Sequence, residues 1–391
     1  MKNKHWVLLV SYISFIVLAL PMGGLTVAWP EMMGEMGLLL EQASLLLMAN
    51  TGAYALTGSQ LGRLSRRFRL EQITLLGTCI MTLGLLGMGL SPNLTVLIPA
   101  AAVTGIGIGL VDTSLNTYVT KHFSARHLNW MHCVWGAGSS VSPLLMTQMI
   151  LLFSWRMGYF VQSGILAALA LAVFISLVAG VWKRGDSLTA AEPAGKGAEN
   201  GVVRGLSKRR HQLMQAGVCF LYGGVDYPFV FWVTSVLLES RNLSLERAGL
   251  YPAVYYACMM GGRVVFGALA KRLRGATAMR IGFALGVIGV AVLWLHGSIF
   301  GMALAGIGFS PIYPFLLHAT GQRFRADIFP KLMGYQVAAF GAGIVLWSSV
   351  MGFLLSHLTL EALFPIVLVL IVPTFLMNEG LERVLRKAEI S

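Results

Sequence analysis

The chain has 391 residues, 56% of them hydrophobic and only 12% charged, and its mean hydropathy is +0.73. A soluble globular domain carries about 25% charged residues, so this composition excludes a soluble fold. It predicts an all-α polytopic membrane protein. The net charge of +13 raises the question of a nucleic-acid partner, which the distribution of that charge answers.

Lys2 and Lys4 precede a long apolar run. No small-residue cleavage site follows it, so the run reads as a first spanning helix that exits at "WPEMMGEMG", and not as a signal peptide. Hydropathy predicts twelve spans, at 5–29, 43–64, 71–91, 95–119, 129–153, 157–182, 212–238, 247–270, 277–296, 298–320, 332–356 and 360–378. Segment 183–211, rich in Gly, Ala and charge, is the only long polar stretch and reads as a flexible cytoplasmic linker. It divides the chain into an N-terminal six-helix bundle, 1–182, and a C-terminal one, 212–391. The four cysteines, Cys79, Cys133, Cys219 and Cys258, lie far apart inside apolar runs. They make neither a metal-ligand spacing nor a disulfide framework, and no cofactor or metal is expected.

Of the 29 Lys and Arg residues, 25 fall at the two ends of the chain and in the loops after even-numbered spans. Arg156, Arg241 and Arg247 lie on the other side, and Arg263 lies within a span. By the positive-inside rule both termini are cytoplasmic, and a cell (plasma) membrane is the expected location. The basic charge is thus an orientation signal and a rim for anionic membrane lipid. Nucleic acid is not an expected partner, and the chain reads as a monomer.

The two halves also repeat. "GRLSRRFR" follows span 2 and "GALAKRLRG" follows span 8, each a glycine, a small-Leu-small step and a basic cluster, six spans apart. These strings resemble the G-x-L-A-D-R-x-G-R motif of the major facilitator superfamily. Gly62, Leu64, Ser65 and Arg67 match in one copy, and Gly267, Leu269, Ala270 and Arg272 in the other. Arg66 and Lys271 stand where the motif has aspartate. The resemblance implies the major facilitator fold, with twelve transmembrane helices in two six-helix halves, and alternating access. It implies a cytoplasmic gate at Gly62, Arg63, Arg66, Arg67, Gly267, Lys271 and Arg272, with a weaker or differently built latch.

Within the superfamily, "GLVDTSLNTYVT", "NWMHCVWGAGSSVSP", "LYGGVDYPFVFWVTSVL", "GIGFSPIYPFLLH" and "GYQVAAFGAG" resemble the fucose/galactose/glucose–proton symporter-like branch. That resemblance implies sugar uptake with protons. The branch carries an acid in span 4, matched by Asp112, and another in span 1, where this chain has none.

The residues argue separately. Of the sixteen Asp and Glu, only Asp112 and Asp226 fall deep inside predicted spans, near the middle third of the hydrocarbon. A charge there costs at least about 2.5–3.5 kcal/mol on insertion scales, so it faces a cavity or a partner. Either acid could carry a proton or grip a hydroxyl, or could only serve helix packing. Asn116 stands at i+4 from Asp112 and so shares its face, with Thr113 alongside. Tyr222 and Trp232 flank Asp226 in span 7, where Pro228 and the Gly223-Gly224 pair are expected to distort the helix. Aromatic faces over a sugar ring with carboxylates on its hydroxyls make a sensible site, although each aromatic also reads as plain packing.

His132 in span 5 and Gln336 in span 11 are further candidates for contact with substrate or proton, each with a structural reading beside it. "SPIYPF" in span 10 predicts a kink. Arg263, two turns from the cytoplasmic end of span 8, is expected to snorkel or to pair at the gate. There is no nucleophile elbow, no phosphate-binding glycine loop with lysine, and no His/Cys cluster, so an enzyme is not expected.

The predicted function is a secondary active transporter moving a small polar solute, a sugar or polyol, by proton-coupled symport. A proton-coupled exporter of drugs or metabolites is the alternative on the same fold. A transport-dead sensor or lipid-handling protein is the reading from another class.

Overall fold

Inside hydrocarbon a chain must close its backbone hydrogen bonds on itself, and an apolar run of about 20 residues does so as a spanning helix. The computed structural model describes residues 2–123, 125–182, 208–269, 272–324 and 328–390, and these are helical with no β-strand among them. Most of the predicted linker 183–211 lies outside the described residues, as do Ala270 and Lys271 of the second gate motif.

Each predicted span coincides with a helical segment. Span 1 is Lys2–Leu18 and Leu20–Met36, joined at Ala19, and span 2 is Ala43–Ser59 with the short Leu61–Leu64. Spans 3 to 6 are Leu70–Leu90, Leu94–His122, Ala125–Leu152 and Trp155–Val178. Span 7 is Arg209–Ser235, closed by a π turn over Val236–Ser240, and span 8 is Leu245–Leu269. Span 9 is Gly275–His296, span 10 is Ile299–Phe309 with Ile312–Arg323, and spans 11 and 12 are Phe329–His357 and Leu363–Ile390. Among the described residues, nine of these segments are long and apolar enough to cross a membrane. Spans 2, 5 and 8 fall below that measure. Span 2 is broken at Gln60, span 5 carries His132 and a run of serines, and span 8 carries three tyrosines and Arg263.

The chain forms two compact units. One comprises Met1–Ala190 with Leu237–Ala257, and the other Ala191–Val236 with Cys258–Ser391. Within the first, span 4 packs on spans 2 and 3, span 3 on span 6, and span 1 on span 5. Within the second, span 7 packs on spans 11 and 12, and span 9 on spans 10 and 12. Three of these pairings, 3–4, 3–6 and 1–5, recur six spans later as 9–10, 9–12 and 7–11. The repeat read from the basic loops is therefore a repeat of helix packing.

Two details differ from the sequence expectations. Span 7 is not broken at Pro228: the helix continues through that residue to Ser235. The ring of a helical proline presses on the carbonyl four residues back, here that of Gly224, where the backbone can yield. The irregularity appears two turns later, as the π turn. Gly223 and Gly224 serve close approach instead: a Cβ on Gly223 would meet the Phe340 backbone, and one on Gly224 the Trp347 ring. Span 12 does not end at 378 but continues as helix to Ile390. The expected break in span 10 does occur, at Ser310-Pro311.

Candidate functional site

In the first unit, the polar centre is built on span 4. Gly105 and Gly109 lie one turn apart on the face that meets span 2. A Cβ at Gly105 would meet the Asn50 backbone, and one at Gly109 the Tyr54 carbonyl. Glycine at both positions lets the two backbones come together, and Asn50 Nδ2 then donates to the Ala101 carbonyl at 3.0 Å. This close crossing brings the Tyr54 hydroxyl to Asp112 Oδ2 at 2.9 Å. From the other side Asn116 Nδ2 donates to Asp112 Oδ1 at 3.0 Å, so the i, i+4 spacing is used as a hydrogen bond. Asp112, Asn116 and Tyr54 are all partly accessible. The carboxylate is therefore oriented by two donors and still has lone pairs free to meet a solute or a proton.

Thr113 turns its hydroxyl to the Gly109 carbonyl at 2.5 Å, so it is engaged with its own helix. His132 is exposed on span 5 and stands edge-on to Phe15 of span 1, with ring centroids 5.4 Å apart. A clasp ties the far ends of spans 1, 3 and 6. Glu35 accepts from Trp155 Nε1 at 2.5 Å and from Arg156 at 2.8 Å, while Arg156 also donates to the Ser91 carbonyl at 2.6 Å.

In the second unit, Tyr222 is fully buried, donates to the Phe309 carbonyl at 2.8 Å and stacks on Phe340. Phe340 in turn stacks on Tyr313 with centroids 4.2 Å apart. Asp226, one turn after Tyr222, is half-buried, and both it and Arg263 lie within electrostatic reach of the Tyr222 hydroxyl. Arg263 is half-buried, and its Nε has no hydrogen-bond partner among the described residues. Trp232 is fully buried and donates to the Ser348 carbonyl at 3.2 Å, in the packing between spans 7 and 11.

Gln336 is also fully buried, and it belongs to a network that sequence reasoning did not find. Its Nε2 donates to Thr320 at 2.7 Å, and Gln215 reaches the same hydroxyl at 3.4 Å. Arg323, with 0% of its surface exposed, donates to Gln215 at 2.7 Å, to Asn378 at 2.7 Å and to Glu382 at 2.6 Å. One guanidinium thus joins spans 7, 10 and 12. Beside it Arg280 and Glu379 form a two-bond pair at 2.9 and 2.6 Å. The signal lay in "NEGLER", where Asn378, Glu379 and Glu382 share one helical face just past the hydropathy boundary.

At the gate strings, Gly62, Arg63, Arg66, Arg67, Gly267 and Arg272 are all exposed, and Gly62 and Gly267 have open space around them. Among the described residues Arg63 has no carboxylate partner, and it donates to Gln60 at 2.9 Å.

Residues 11–328 match the model of the Major Facilitator Superfamily. Two named relatives are similar to the chain. An uncharacterised MFS-type transporter of Mycobacterium tuberculosis is 24% identical over 345 residues, covering 75% of this chain and 58% of that protein. A probable sulfoacetate transporter, SauU, of Cupriavidus necator is 23% identical over 290 residues, covering 70% of this chain and 66% of that one. The chain therefore spans less than two thirds of the length of either. Among solved structures, a bacterial homologue of the human lysosomal transporter Spinster superposes with a TM-score of 0.80 at 13% identity, covering 99% of this chain and 98% of that one. The nucleoside transporter NupG superposes at 0.76 and 10% identity, covering 97% and 99%. These two likenesses concern the fold. With the family model matching most of its length, the chain belongs to the Major Facilitator Superfamily of membrane transporters.

Proposed function

We propose that the protein is a secondary transporter that moves a small polar solute, a sugar or related polyol, across the cell membrane by alternating access with proton symport. The observation that carries this reading is the Tyr54–Asp112–Asn116 constellation. It is a carboxylate inside a spanning helix, aimed by two donors and partly accessible. Such a group can accept from a hydroxyl while its amide neighbour donates to the next one, the pattern a polyol needs. It can also take up and release a proton, the usual role of an acid at that depth. Asp226 and His132 act in support of solute or proton binding, while Thr113 and Gln336, both engaged inside the protein, serve helix packing, with both termini cytoplasmic and the chain acting as a monomer.

A second reading follows from Arg263. A half-buried guanidinium with an unmet Nε in a spanning helix suits an anionic group, and one relative is named as a probable sulfoacetate transporter. The solute would then carry a carboxylate or sulfonate.

A thermal-shift screen of the purified protein separates the readings. Sugars and polyols raising the melting temperature, with loss of the shift in Asp112→Asn, supports the first. Shifts only with organic acids or sulfonates, lost in Arg263→Gln, would replace it with the second. Shifts only with lipophilic cations would favour the exporter.

A further inference from the structure

The loop after span 2 holds a feature that lies outside the proposed solute site. The end of span 2 and the turn that follows border an open hollow of about 810 Å³. Arg63, Arg66 and Arg67 line it, and no carboxylate does. The fourth arginine of the loop, Arg69, is outside the lining and already neutralised by Glu71 at 3.2 Å. Three guanidiniums are therefore gathered around one space with no counter-charge in its walls, an arrangement that self-repulsion opposes unless an anion is present.

The rest of the lining is Thr57, Gln60 and three apolar side chains. Leu56 and Leu64 belong to the helix end, Phe68 follows it, and Leu56 and Phe68 are 71% and 48% exposed. A free phosphate has no use for an exposed leucine and phenylalanine. A phospholipid uses both kinds of surface, its phosphate on the planar donor forks of arginine and its acyl chain along the apolar wall. Leu56 lies in the spanning helix and Arg63 just past its break at Gln60, so the apolar wall leads from the membrane to the charged end.

We propose that this hollow is a binding site for the headgroup of an anionic phospholipid, held by Arg63, Arg66 and Arg67 with Leu56 and Phe68 against its acyl chain. The site belongs to the first unit alone. It gives a role to the arginines that stand where the superfamily's motif carries its gate.

The test compares the full-length protein with two triple variants of equal charge change, R63Q/R66Q/R67Q and K208Q/R209Q/R210Q, the second removing charge from another basic segment. Each is titrated in detergent with short-chain phosphatidylglycerol, phosphatidylcholine or inorganic phosphate, and binding is read by native mass spectrometry and thermal shift. The expected result is saturable retention of phosphatidylglycerol by the wild type and by the K208Q/R209Q/R210Q variant. R63Q/R66Q/R67Q should bind on the order of tenfold or more weakly, and phosphatidylcholine should not compete. A fourth variant, L56Q/F68Q, should weaken phosphatidylglycerol but leave the melting temperature of the lipid-free protein unchanged. Equal loss in both triple variants would mean a general basic rim and would overturn the site. Inorganic phosphate binding as well as the lipid, or unaltered retention in R63Q/R66Q/R67Q, would overturn it too.

Discussion

Tyr54 on span 2 and Asp112 on span 4 are joined by a 2.9 Å hydrogen bond in which the phenol donates to Oδ2, across 58 residues of sequence. A hydrogen bond to a charged group contributes about 1.5–3 kcal/mol. Tyr54→Phe keeps the ring and removes this donor, leaving Asn116 as the one remaining donor to Asp112 among the described residues. Concentrative uptake into proteoliposomes is expected to fall by about tenfold or more, with little change in melting temperature. Unaltered uptake would mean that the phenol does not orient a working carboxylate.

The bond depends on how closely spans 2 and 4 cross. Gly105→Ala would drive a methyl into the Asn50 backbone, whereas Gly52→Ala on span 2 meets nothing within 4 Å. Overpacking costs about 1–3 kcal/mol, and replacing glycine within a helix gains about 1 kcal/mol where there is room. Thermal unfolding in detergent should therefore show Gly105→Ala destabilised and Gly52→Ala neutral or slightly stabilised. Similar behaviour of the two would remove the case for glycine-set spacing.

Arg323 offers a stability test in the second unit. Arg323→Met leaves Glu382, Gln215 and Asn378 facing one another without the guanidinium that joins them. Removing one partner of a buried pair costs about 3–5 kcal/mol, while replacing both by apolar groups costs much less. The expected order of unfolding midpoints is wild type, then R323M/E382L, then R323M. A double variant no more stable than the single one would contradict the network's role.

These cases also mark how far the sequence could be read. The spans were legible because apolar runs of bilayer length have few alternatives in hydrocarbon. The Asp112–Asn116 pair was legible because both residues sit one turn apart on the same helix. Tyr54 was not, since its approach to Asp112 follows from a tertiary crossing that Gly105 and Gly109 allow. The Arg323 network was hidden because hydropathy ends span 12 at 378 while the helix continues to Ile390, with Glu379 and Glu382 turned inward. Arg156 counted in the sequence only as an exception to the positive-inside bias. In the structure it is the centre of a clasp on Glu35 and on the end of span 3.

Orientation can be checked on described residues. In a background with the four native cysteines replaced, single cysteines at Arg247 and Arg272 lie at opposite ends of span 8. An impermeant thiol reagent applied to intact cells is expected to label the Arg247→Cys variant and to spare Arg272→Cys until the membrane is opened. The reverse pattern would invert the topology.

The central claim is that Asp112 couples solute to proton, and Asp112→Asn tests it most directly. The substitution keeps the shape and hydrogen-bonding capacity but removes the titratable group. Two activities are measured side by side in proteoliposomes: concentrative uptake under an imposed proton gradient, and exchange of labelled for unlabelled solute with no gradient. The expected result is loss of concentrative uptake with exchange retained, because exchange needs no net proton movement. Full concentrative uptake by Asp112→Asn, by Asp226→Asn and by the double variant would contradict the claim that a buried acid drives this transporter.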